Sequence, residues 1–271
     1  MSKSILTGVI ICFLIGMVFG QQNEFKSDLS NFCPNKKFQF KTTCYAYAVV
    51  YTAMSTEYNI ANNITDSNII NLNYFSPGIV ASKHNSSLPF YKQSKNCGKY
   101  GLADSSLDIL KNFGTTFGNL YDCDCKRYSL IKEQIPDSTK IYKIIDYSSL
   151  EVNNKYSENS IMWLKNVLNN NHPIVISVYQ NDRLYGIHTK DIDDTLPDSK
   201  TLAKIMKNTN FGISNHVICI LGYNDDYKVG KGYFLLKNNF DRWGNGYGFS
   251  WVPYTFILPL IQKAYFIKGI L

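Results

Sequence analysis

The chain has no run of basic residues long enough to act as a nucleic-acid arm. Its net charge of +7, or +6 once Lys3 is removed with the N-terminal segment, reads as a mild bias toward anionic surfaces or substrates. It has no internal repeat, which argues against solenoids and propellers. It has only four histidines, His84, His172, His188 and His216, and they are scattered. The close cysteine pair Cys123 and Cys125 has the wrong spacing for a standard zinc site. No metal and no cofactor are therefore expected. Gly244, Gly246 and Gly248 could pass for a phosphate loop, but no lysine follows in the required place and aromatic residues come next. The longest apolar run, Ile5 to Val18, falls short of the ~20 residues of a spanning helix.

That run is instead placed like a secretory signal. Lys3 precedes it, and Val18 and Gly20 are small enough for the −3 and −1 positions before Gln21. Residues 1–20 are set aside as a signal peptide. The mature chain, 21–271, is then expected to be secreted, to the extracellular space or a periplasm, and to carry no membrane span. At 14% aromatic and 18% charged residues it should be globular. The first part, to about residue 137, reads as mostly helical. The second, from about 138, alternates strands with turns: 140–147, 174–179, 216–223, 233–237, 247–252 and 265–270, with a helix near 160–169. This is an α+β arrangement of two lobes with a site between them.

His216 to Tyr223 is rich in Val and Ile and should be a strand. Asn224 to Gly232 has turn composition, and Tyr233 to Asn238 is a second strand. The hairpin brings His216 and Asn238 together at its open end. There an amide oxygen can accept from one imidazole nitrogen and orient the ring, leaving the other nitrogen to face a thiol. Cys44 begins an apolar helical stretch, Cys44-Tyr45-Ala46-Tyr47-Ala48-Val49-Val50. Unpaired N–H groups and the helix dipole at that position favour a thiolate, and a neighbouring imidazolium favours it more. Cysteine nucleophile, histidine base and asparagine orienter form a covalent-catalysis set.

These residues resemble the papain-like cysteine peptidases, peptidase family C1. Cys44-Tyr45-Ala46-Tyr47-Ala48 is similar to the family's Cys-Trp-Ala-Phe segment, with Tyr45 in the tryptophan's place. Gln39 stands upstream of Cys44, one residue closer than the family's oxyanion glutamine, and Phe40-Lys41-Thr42-Thr43 replaces a small-residue loop. Cys97-Gly98-Lys99-Tyr100-Gly101 is similar to the family's Cys-x-Gly-Gly run, which implies Gly98 and Gly101 beside the substrate backbone, before a helix that Asp104 or Ser105 caps. Lys237-Asn238-Asn239-Phe240 to Gly248 resembles the Asn-Ser-Trp-Gly region, with Phe240 covering the Asn–His pair. Cleavage after Gly20 leaves 23 residues before Cys44, about the family's mature length there, with no room for an inhibitory propeptide. The stretch 191–212 has no counterpart in the family pattern.

The resemblance implies a papain-like two-lobed fold, helical first and antiparallel, barrel-like and β-rich second. It implies a monomeric cysteine endopeptidase that hydrolyses polypeptides through a thioester acyl-enzyme. Cys44, His216, Asn238 and Gln39 would be catalytic; Gly98, Gly101, Tyr45, Phe240 and Trp243 would line the substrate site. The alternative reading, from the altered Gln39 loop, Tyr45 and Phe240, is a catalytically weak or inactive papain-like binding protein. Six cysteines remain after signal removal. Cys44 and Cys219 are expected to be free; Cys33, Cys97, Cys123 and Cys125 allow up to two bridges, with Cys97 to Cys123 or Cys125 favoured by position. Asn63-Ile64-Thr65 and Asn85-Ser86-Ser87 match the N-glycosylation acceptor.

Overall fold

The computed structural model describes residues 26–35, 37–94, 100–120, 135–179, 216–228 and 232–271. The signal segment, Cys97, Gly98, Cys123, Cys125 and the 191–212 stretch lie outside the described residues. A central helix, residues 44–61, runs from Cys44–Ala46 through a wider π-helical stretch, Tyr47–Met54, into Ser55–Ala61. Every residue of the π-helical stretch is buried. Widening redirects carbonyls, and side chains take some of them up. Ser55 Oγ donates to the Val50 carbonyl at 3.1 Å, and the Cys219 thiol donates to the Ala48 carbonyl at 3.1 Å. Such π segments are uncommon and recur at functional sites.

Helices Ser67–Leu72, Pro77–Ser87 and Ala103–Asn112 complete the helical lobe. Pro77 at the first turn suits its helix start. Asp66 caps the helix after it by accepting from the Asn68 and Ile69 amides. The helix Ala103–Asn112 begins two residues earlier than an Asp104 cap, and three earlier than a Ser105 cap, would place it. Leu102 occupies its cap position with no side-chain bond, and Asp104 is spent in the first turn near Lys263, 3.9 Å away. Gly114, at φ 78°, ends it as the composition implied.

Among the described residues the second lobe is an all-antiparallel sheet of seven strands. Six run in the order β2 (Tyr147–Glu151), β7 (Ile261–Ile267), β3 (Ile174–Val178), β4 (His216–Asn224), β5 (Tyr233–Lys237) and β6 (Phe249–Pro253). The seventh, β1 (Lys26–Asp28), pairs with β4, so the described residues begin on the β lobe before entering the helical one. β3 and β5 are buried throughout, as strands covered on both faces should be.

Three strand boundaries differ from expectation. Tyr142 makes an isolated bridge with Thr115 of the helical lobe and Ile144 another with Ile270, so 140–146 is a crossing between lobes and the strand starts at Tyr147. β6 starts at Phe249 because Gly246 and Gly248 hold positive φ angles of 86° and 88° that a strand does not accept. β7 spans Ile261–Ile267, earlier than expected, because Gly269 at φ 142° stops it.

A buried helix carboxylate also couples the lobes electrostatically. His172, just before β3, places Nδ1 3.0 and 3.1 Å from the two carboxylate oxygens of Glu57 on the central helix. That hydrogen bond raises the His172 pKa above its ordinary value, against some desolvation. A raised folded value means the contribution is fully present below the unfolded pKa and fades as pH rises through the folded one. We expect the stability difference between wild type and His172→Gln to be larger at pH 5 than at pH 8, by at most about 1 kcal/mol for a partly exposed pair. Urea melts at the two pH values check this, and a difference that grows with pH would contradict it.

Candidate active site

β4 and β5 bring the expected pair together. His216 Nε2 lies 3.1 Å from Asn238 Oδ1, and both residues are buried. Because Oδ1 only accepts, Nε2 carries the hydrogen, and Nδ1 is left with the lone pair. Phe240 stacks on the imidazole, with ring centres 4.7 Å apart and planes 15° apart, so the aromatic cover is in place. Asn238 Oδ1 also accepts from the Asn239 amide at 2.8 Å, which fixes its direction toward the ring.

Cys44 opens the central helix with Thr43 before it. The backbone groups of Val217, Tyr45 and Cys44 itself lie close enough to favour its thiolate. Val217 directly follows His216, so this contact seats the nucleophile against the strand that carries the base. These groups lower the thiol pKa, but burial outweighs them and holds Cys44 above its ordinary value. Burial likewise pushes His216 down to about 4, despite the Asn238 hydrogen bond. Burial thus opposes the thiolate–imidazolium pair and favours the neutral thiol and neutral imidazole, because desolvation penalises both charges.

Gln39 reaches the site through its backbone. Its amide donates to the Asn239 carbonyl at 2.7 Å. Its side-chain Nε2 donates to the Lys41 carbonyl at 2.7 Å, within the short turn where Lys41 takes φ 50°. Gln39 Oε1 is buried without a hydrogen bond among the described residues. One Nε2 hydrogen is thereby committed to the turn.

The aromatic candidates divide. Tyr45 is fully buried, edge-on to His84 at 5.1 Å, and packs against Gly101, where a Cβ would come within 2.6 Å of its ring. Gly101 is thus needed for this packing. Trp243 is 1% exposed and sits in the core. Neither aromatic offers a face to a ligand in this form. Lys237, next to Asn238, is fully buried; its Nζ donates to the Tyr247 carbonyl at 2.5 Å and to the Asn238 carbonyl at 3.4 Å. Burial lowers its pKa to about 8, with Cys33 and Cys219 close enough to oppose the shift. Cys33 is a buried free thiol, pushed to about 11 by desolvation, so it leaves the list of bridging candidates. Cys219 is free as expected.

Sequence reasoning missed Asn239, Thr52 and the Val217 amide. Asn239 stood where the family pattern has serine, and that departure was the available signal. Of the two glycosylation matches, Asn63 is exposed, while Asn85 is 3% exposed and bonds Ser94 through both ends of its amide. Among the described residues there is no group of three or more metal-ligating side chains, and no helix is long and apolar enough to cross a membrane.

The sequence matches no protein-family model and no curated protein. Solved structures do match. Digestive procathepsin L 3 from the larval midgut of Tenebrio molitor superposes with a TM-score of 0.60 at 17% identity, over 90% of this chain and 69% of that one. Bromelain from Ananas comosus, in complex with the E64 inhibitor, gives 0.60 at 18% identity, over 91% and 99%. The ragweed pollen cysteine protease Amb a 11, in its proform, gives 0.59 at 16%, over 93% and 67%. The chain has the α+β, two-lobed fold of the papain-like cysteine peptidases, with Cys44, His216 and Asn238 gathered where its central helix meets β4 and β5.

Proposed function

We propose that this chain is a secreted cysteine endopeptidase acting on polypeptides. The observation that carries the reading is the placement of Cys44 beside the Val217 backbone, next along β4 from His216, which is hydrogen-bonded to Asn238. Starting from the neutral pair, His216 Nδ1 takes the thiol proton as Cys44 Sγ attacks the scissile carbonyl. The Cys44 amide and the remaining Gln39 Nε2 hydrogen bind the oxyanion. The imidazolium then protonates the leaving amine, which departs and leaves a thioester. Water, deprotonated by His216, attacks the thioester and regenerates the thiol. Asn238 holds the ring throughout and Phe240 keeps water from that bond. Secretion rests on the Lys3 to Gly20 pattern, and the chain is taken to act as a monomer.

The test is mass spectrometry of the purified mature chain after a thiol-reactive peptidyl epoxide, beside Cys44→Ala. A single adduct confined to Cys44 supports the reading. A second reading, a papain-like binding protein without turnover, is favoured by the Gln39 side chain being tied to Lys41 and by the burial of both reacting groups. No adduct on a folded chain would make that reading the leading one.

A further inference from the structure

We propose that Asn239 is a positioning residue that locks the base and the oxyanion segment to the helix bearing the nucleophile. The inference rests on the cysteine-peptidase reading and concerns a residue that touches neither substrate nor reacting atoms. Three contacts carry it. The Asn239 amide donates to Asn238 Oδ1 at 2.8 Å, the same oxygen that holds His216. The Asn239 carbonyl accepts from the Gln39 amide at 2.7 Å, so the oxyanion segment hangs from the same peptide unit. The Asn239 side chain lies with both Oδ1 and Nδ2 3.3 Å from the Thr52 hydroxyl.

Thr52 sits in the π-helical stretch two turns beyond Cys44, and both it and Asn239 are buried. One residue thereby meets three parts of the site: through its N–H the orienter, through its C=O the oxyanion segment, and through its side chain the central helix. The backbone at 239 has left β5, whose last residue is Lys237, so no sheet ladder holds it. The side-chain contact with Thr52 supplies that restraint. A buried amide with a defined partner is costly to leave unmade, which makes the position specific.

Removing the restraint should cost rate more than binding, since misplacing a catalytic group by about 1 Å can cost on the order of 100-fold. We expect Asn239→Ala to lower kcat on a fluorogenic peptide about 10- to 100-fold with KM within about threefold. Thr52→Val should give a similar loss that does not add to that of Asn239→Ala, while Thr52→Ser, which keeps the hydroxyl, should retain near wild-type kcat. A second readout needs no turnover. The His216 Nε2–H proton, held by Asn238, should exchange with water about tenfold faster in Asn239→Ala and in Thr52→Val, followed by NMR.

A chain that hydrolyses no peptide but shows the faster exchange would end the peptidase reading and keep Asn239 in its positioning role. Folded variants with unchanged exchange, and with kcat unchanged wherever peptide turnover occurs, would overturn the proposal. So would a melting temperature lowered with exchange at 25 °C unaltered, because that is a structural contribution alone. If Asn239→Ala does not fold, the Thr52→Val and Thr52→Ser pair decides by the same two readouts.

Discussion

Cys44→Ala should lower peptide hydrolysis by about six orders of magnitude, the size of effect seen when a covalent nucleophile is removed. The fold should survive it. The substitution deletes one sulfur from a site that is 7% exposed, and the Val217 amide beside it is left facing the small gap. The stability cost should be about 1 to 2 kcal/mol, that of an unmet buried donor and a minor cavity. Circular dichroism checks the fold and progress curves check turnover. Full retention of activity would remove Cys44 from the chemistry.

The same site yields a distinctive pH behaviour in the absence of substrate. Burial holds the thiol above its ordinary pKa and the imidazole near 4. Simple alkylation of Cys44 by iodoacetamide should therefore be slow from pH 5 to 8 and climb only as the thiol ionises above pH 9. A preformed ion pair would instead give a fast plateau in mildly acidic buffer. An observed plateau would mean that the site opens to water in solution far more than its burial implies. A peptidyl reagent that places its electrophile beside Cys44 gains proximity, and should react where iodoacetamide does not.

Gly248→Ala should be among the most damaging single-methyl changes in the chain. An added Cβ would lie 2.1 Å from the Asn238 carbonyl oxygen and 2.7 Å from Lys237 Nζ, at a residue held at φ 88°. The carbonyl is main chain and has no room to retreat, because the Gly248 carbonyl accepts the Asn238 amide at 2.8 Å. The strain falls on the residue that orients His216. We expect a loss of about 3 kcal/mol, or roughly 10 °C in melting temperature for a domain of this size. Turnover by the folded fraction should fall with it. Gly246→Ala is the control: its φ is 86°, but nothing lies within 4 Å of the added carbon. It should cost only the left-handed strain of about 1 to 2 kcal/mol. Thermal melts of the two variants separate steric from conformational cost, and equal losses would contradict the crowding at Gly248.

What could be read in advance was what short-range pattern encodes. The Val- and Ile-rich runs around a polar turn define a hairpin, and hairpin geometry alone carries His216 to Asn238. The helix start at Cys44 and the stop at Gly114 follow from apolar runs and glycine chemistry. Strand ends were less legible because glycine dihedrals set them: Gly248 delays β6 and Gly269 cuts β7 short. β1 was not legible at all. Lys26-Ser27-Asp28 has no strand-like composition and pairs only because β4 offers an edge there.

The residue types of the site, their order along the chain and the local elements that present them are written in short-range pattern. Their electrostatic surroundings and their restraints come from packing. The pKa of a thiol or an imidazole depends on how much water surrounding chains exclude, and no local pattern states that quantity. Hence burial raises the Cys44 pKa even at a helix N-terminus, a position that favours a thiolate. The contact of Asn239 with Thr52, 187 residues away, was equally beyond local reading. Only the packing of β5's end against a π-helical turn makes those two side chains neighbours, and burial makes their contact consequential.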